Sequence, residues 1–78
     1  MPIDREGAAP LYLQIAAELR AGIKAGLWPA GRRLPSETEL MNTYGVARLT
    51  ARSAVRVLAR AGEVEVVQGR GAYVRRAA

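Results

Sequence analysis

Apolar residues recur along this chain with two different periods. From Leu11 they come at steps of four, through Ile15, Leu19 and Ile23, with Tyr12 and Ala16 beside them and Glu18, Arg20 and Lys24 on other faces. That spacing predicts an amphipathic helix. Pro10 suits its first position, where a missing N–H costs nothing, Gly26 is the expected stop, and Pro29 prevents continuation. A second helix is announced by Ser36, which stands three residues before Glu39 in the S-x-x-E pattern of a capping box. Leu40 and Tyr44 form an i,i+4 apolar pair, and Gly45 offers a residue free to take positive φ where that helix must end. After Val46 a third helix follows. Ala51, Ala54, Val55, Leu58 and Ala59 make one buried face, with Arg48, Arg52 and Arg56 four apart on another.

Beyond Gly62 the period changes to two. Val64-Glu65-Val66 alternates as a half-buried strand, Gly69-Arg70-Gly71 is a turn, and Ala72-Tyr73-Val74 is a return strand. Arg33-Leu34 is short enough for only a minimal strand before Pro35. Residues 1–9 mix charges with Pro2 and Gly7 and are expected to form a loose arm. Trp28, the single tryptophan, is expected to pack the small core rather than anchor an interface. The architecture predicted is α+β and mostly α: three helices followed by a β-hairpin, in one domain over 10–76. The helix-turn-helix lies at about 36–60 and the hairpin, a wing, at about 64–75.

Composition narrows the chemistry. The 78 residues carry 12 Lys+Arg against 7 Asp+Glu, a net charge of +5 and a pI near 10.8, as in small nucleic-acid-binding domains. Arginine dominates the basic set, either for guanidinium forks or from GC-rich coding, and the abundant alanine and glycine favour the second. There is no cysteine and no histidine, which excludes disulfides, thiolate sites and zinc chemistry; no metal or cofactor is expected. Ser36, Ser53, Thr43 and Thr50 lack a histidine base, so an enzyme is not expected. Glu37 and Glu39 are accounted for as first-turn residues at the positive end of a helix. No apolar run approaches the roughly 18 residues of a membrane span, and no signal-peptide core follows Met1. A soluble cytoplasmic protein without membrane contact is the expectation.

The arginine stripe decides the functional reading. A charged helix face is ordinarily just a solvated one. Between Gly45 and Gly62, however, four arginines stand without a single acidic residue, so no i,i+4 ion pair forms and like charges repel. A phosphate-lined groove would relieve that repulsion. The Gly-Arg-Gly turn adds a narrow positive tip suited to a backbone or a minor groove. A protein-docking winged helix would need an apolar patch where this face offers only Leu49. RNA binding would call for exposed aromatics, and the chain has no Phe and three Tyr in core-like patterns.

From Pro10 to Val74 the chain resembles the winged helix-turn-helix domain of GntR-family bacterial transcription regulators. The resemblance rests on PLYLQIAAELRAGI, AGRRLPSETEL, YGVARLTARSAVRVL and QGRGAYV, in that order and spacing. It implies sequence-specific binding of double-stranded operator DNA and transcriptional regulation, with a homodimer on a palindromic site. Family members typically carry a larger C-terminal domain that senses a small molecule and dimerises the protein. These 78 residues do not contain it, and no effector site is expected in them. By resemblance Arg48 reads a guanine, Thr50 and Arg52 contact phosphates, and Ser36 and Thr38 suit a phosphate at a helix N-terminus. Gly69, Arg70 and Gly71 form the wing tip. Four positions depart from the family pattern. Ala47 replaces a capping serine, and Leu49 is apolar near the bases, where it can meet a thymine methyl. Met41 is larger than the usual residue facing the next helix. Glu63 replaces an apolar residue at the start of the wing.

Overall fold

The computed structural model describes residues 3–76. Its elements are α1 (Leu11–Lys24), α2 (Glu37–Tyr44), α3 (Arg48–Arg60), β1 (Val64–Val67) and β2 (Gly71–Val74). The two strands pair antiparallel with Val64 opposite Val74 and Val67 opposite Gly71. The minimal strand expected before Pro35 is a single bridge, Arg33 to Tyr73. It is nonetheless well bonded: the Leu34 N–H donates to the Ala72 carbonyl and the Val74 N–H to the Arg32 carbonyl, both at 2.8 Å. β2 is therefore hydrogen-bonded along both edges, and the hairpin is fastened to the segment that leads into α2.

The helical periodicities give the core. Ile15 and Leu19 from α1, Leu34, Leu40 from α2, Leu58 from α3 and Val64 from β1 are all buried, and Ala51 and Ala54 let α3 approach closely. α2 begins as expected. Ser36 Oγ accepts from the Glu39 N–H at 3.1 Å and Glu39 Oε1 accepts from the Ser36 N–H at 2.8 Å. It ends on Gly45 at φ 64°, a left-handed residue. α1 differs by one residue from the pattern, because Pro10 precedes the first helical residue and only its carbonyl enters the ladder, accepting from Leu13 and Gln14.

Three local arrangements depart from or complete the sequence reading. Trp28 packs against the core, its ring lying over Gly22 of α1, where a Cβ would run into the indole. Glu63, in place of an apolar residue, takes Arg20 in a fork: Arg20 Nε donates to both carboxylate oxygens at 2.9 and 2.8 Å, and Nη2 lies 2.7 Å from Oε2. With the Arg75 N–H on its carbonyl, Glu63 ties α1 to both ends of the hairpin. Val66, on the same strand as buried Val64, is 57% exposed and lines an open depression with Val55 and Arg56 of α3. Within the N-terminal arm, residues 1–2 lie outside the described residues, and Asp4, Arg5 and Ala9 are hydrogen-bonded to the domain. Gln14 holds the Asp4 backbone at 2.6 and 2.7 Å and the Ala9 carbonyl at 2.8 Å.

Two outcomes follow from this packing. Gly22→Ala gains about 1 kcal/mol of helix propensity. It should nevertheless lower thermal stability, since the indole must be displaced, an overpacking cost of about 1–3 kcal/mol. In a Trp28→Ala background the same change should stabilise; destabilisation in both backgrounds would show that the indole contact is not the cause. The second outcome concerns pH. The hydrogen bonds from Arg20, helped by the charges of Arg20 and Lys24, hold the Glu63 carboxyl below its ordinary value. Its stabilising contribution is therefore present above the unfolded carboxylate pKa of about 4.3. It is lost as pH falls below that through the depressed folded value. Urea unfolding of Glu63→Gln should give a lower midpoint than the parent at neutral pH, corresponding to a stability loss of up to about 1 kcal/mol. The two should converge in acid, and a difference that persists there would assign the effect to something other than the ion pair.

Candidate nucleic-acid interface

The Gly45 turn sets α3 against α2 so that Ala51 and Ala54 are buried while Arg48, Leu49 and Arg52 of its first two turns face solvent. Ala47, at the N-cap position, is exposed and makes no side-chain cap, as its chemistry requires. Arg48 and Arg52 are four residues apart, hence on one face, and each is about half exposed, at 51 and 48%.

α3 itself holds no acidic residue, but its arginines take an acidic partner from the neighbouring helix. Glu37, from the first turn of α2, lies between the two guanidiniums. Its Oε2 accepts from Arg52 Nε at 2.9 Å, and its Oε1 accepts from Arg52 Nη2 and Arg48 Nη1, both at 3.2 Å. Thr38 Oγ1 accepts from Arg48 Nη2 at 3.4 Å. Counting i,i+4 partners along one helix cannot find this acid, because it comes from a neighbouring helix. Nor is Glu37 accounted for by the helix end alone. The Arg52 hydrogen bond, with Arg48 second, holds its carboxyl below the ordinary range, and Glu37 in turn raises the Arg52 guanidinium. One carboxylate between two guanidiniums leaves a single net positive charge and fixes the direction in which both planes point.

The other expected site residues fall into two groups. Ser36, Thr38 and Arg48 share one open groove of about 380 Å³ with Gly69, Arg70 and Gly71 of the wing tip. Glu37, and through it Arg52, borders the same groove. Leu49, 68% exposed, and Thr50 lie away from that cluster, on a shallow surface shared with Leu11, Tyr12 and Ser53. Tyr12 is thus at the surface, not in the core. Ser36 is less available than expected of a phosphate ligand. Its hydroxyl oxygen and its N–H are both engaged with Glu39, leaving the hydroxyl proton for a ligand.

The wing tip turns on Gly69 at φ 79° and Gly71 at φ 120°. At Gly71 the Arg33 side chain also packs close, 3.1 Å from where a Cβ would stand. Arg33 and Gln68 line the groove and were not singled out from sequence. Arg33 could have been found from its place beside the minimal strand, but only the Arg33–Tyr73 bridge shows that it lies against the wing.

The family model for bacterial regulatory proteins of the gntR family matches residues 11–74. The histidine utilization repressor of Pseudomonas putida is 41% identical over 69 residues, which span 88% of this chain and 28% of that protein. The mannosyl-D-glycerate transport/metabolism system repressor MngR of Escherichia coli K12 is 42% identical over 69 residues, 88% of this chain and 29% of that protein. The chain thus spans less than a third of the length of these relatives. Among solved structures, AraR(DBD) in complex with operator ORR3 is 35% identical with a TM-score of 0.83, covering 95% of this chain and 89% of that one. The match of the whole helical and hairpin framework, together with an exposed arginine pair on its third helix, makes this chain a member of the gntR family of bacterial regulatory proteins.

Proposed function

We propose that this chain binds double-stranded DNA sequence-specifically as the DNA-binding part of a transcription regulator, in the sense of repression. α3 enters the major groove and the wing tip follows the adjacent minor groove. The observation that carries the reading is the convergence of Arg48, Arg52 and the wing-tip Arg70 along one exposed edge, on a chain of net charge +5. AraR(DBD), similar in fold and sequence, is seen with an operator, and the repressors named above share the same segment.

In this reading Arg48 specifies. Its fork can meet the N7 and O6 acceptors of a guanine once it leaves Glu37. Arg52, Thr50, Ser36, Thr38 and Arg70 position the domain on phosphates, and Leu49 meets an apolar base edge. Ala47, Gly69 and Gly71 let the backbone approach closely. Two copies occupy a two-fold symmetric site with half-sites on one face of the duplex, each binding weakly alone. No helix among the described residues is long and apolar enough to cross a membrane, and the reading places the protein in the cytoplasm with its DNA.

The test is a titration of the protein with a duplex selected from a random-sequence pool, and with unselected duplex, across a salt series. With roughly five phosphate contacts the slope of log K on log salt should be about −4 to −5. Arg48→Ala should cost about 1–3 kcal/mol on the selected duplex and relax preference at one base pair, whereas Arg52→Ala should weaken all duplexes about equally. Absence of binding at low salt would overturn the proposal in favour of a protein-docking role. An unchanged ranking of sites in Arg48→Ala would reassign the specifying residue.

A further inference from the structure

The segment ahead of the family domain reaches the hinge of the helix-turn-helix. Arg5 Nη2 donates to two successive carbonyls, Tyr44 at 2.7 Å and Gly45 at 2.8 Å. The Tyr44 carbonyl belongs to the last turn of α2, whose carbonyls have no partner within the helix. A cation at that end also meets the negative pole of the helix dipole. Within the turn itself, the Gly45 and Val46 N–H groups both fall back on the Met41 carbonyl, at 2.8 and 3.3 Å. Three residues after Gly45, α3 begins at Arg48 without a side-chain cap, because position 47 is alanine. The hinge that aims Arg48 is thus short of one of its usual restraints.

Arg5 is itself held in advance. The Gln14 carboxamide on α1 accepts from the Asp4 N–H at 2.6 Å and donates to the Asp4 carbonyl at 2.7 Å, fixing the residue before Arg5. The Glu6 N–H closes onto Asp4 Oδ1 at 3.0 Å, and Ile3 packs against the core. The guanidinium lies so near the Gly45 backbone that a Cβ there would sit 3.1 Å from Nη2. α1, the N-terminal segment and the hinge therefore form one continuous bonded path.

The geometry points to Arg5 as a positioning residue for DNA reading, one that steadies the Tyr44–Ala47 hinge from outside the family domain and offsets the absent cap at Ala47. The inference rests on the proposed function. Ordering two carbonyls of the turn narrows the directions in which α3 leaves it, and with them the place of Arg48 over a base edge. With Nη2 held on the two backbone carbonyls, Arg5 acts through α3 rather than on phosphate.

The test uses the full chain and the duplex selected from a random pool, below the unfolding temperature of every variant. Arg5→Ala should weaken binding about fivefold, the scale of one exposed charge-assisted hydrogen-bond site. The salt slope should stay at the parent value, since no phosphate contact is lost. Ala47→Ser, its own effect on the parent being subtracted in the cycle, should raise affinity more in the Arg5→Ala background than in the parent, because both devices order the same turn. Equal affinity of Arg5→Ala and parent would overturn the proposal while leaving DNA binding intact. So would a slope shallower by about one, which marks a direct phosphate contact. The same gain from Ala47→Ser in both backgrounds would also overturn it. Failure of the unaltered protein to bind any duplex would overturn this proposal together with the reading beneath it.

Discussion

A helix that presents arginines to a polyanion must exist without the polyanion first. In this chain the Glu37 carboxylate makes that tolerable. It sits between Arg48 and Arg52, cancels part of their repulsion and joins the start of α2 to the start of α3. Its position follows from Ser36, whose capping box with Glu39 fixes the first turn of α2 and so the direction in which Glu37 leaves it. The pair of arginines is also half exposed, which keeps the ion pairs weak by the usual standard of surface pairs. Weakness suits a site that has to open, since a phosphate or a guanine edge can then take the guanidiniums over.

The rest of the molecule fixes the distance between that helix and the wing. β2 is bonded on one edge to β1 and on the other to the residues leading into α2, so the hairpin cannot move without disturbing the start of the helix-turn-helix. The Arg20–Glu63 fork does the same from α1. Glu63, at the start of the hairpin, thus finds its cation on α1, and the hairpin is held to that helix by a polar tie.

Elements with a single strong period were legible from sequence. The three helices, the capping box, the glycine turn and the hairpin all lie where local chemistry puts them, because each depends on residues within a few positions of one another. What stayed hidden depends on contacts between distant segments. The Glu37 fork joins residues 11 and 15 apart, the Arg20–Glu63 fork residues 43 apart, and the Arg5 contacts residues 39 and 40 apart. Periodicity carries no information about such pairs. The same limit made Tyr12 look like core, since a helical stripe does not say how far its neighbours extend over it. Of the expected site residues, Arg48, Thr38, Ser36 and the wing tip line one groove, whereas Thr50 and Leu49 face a different flank.

The central claim is that Glu37 restrains the reading arginines until DNA displaces it. The most direct measurement compares Glu37→Gln with the parent on selected and unselected duplexes at one salt concentration. Removing the carboxylate charge should strengthen binding to unselected duplex several-fold, as expected for one fewer negative charge near phosphate. It should also narrow the ratio between selected and unselected affinities, because Arg48 loses its orientation. Weaker binding to both duplexes with an unchanged ratio would contradict the claim and show Glu37 to be a structural tie between α2 and α3 alone.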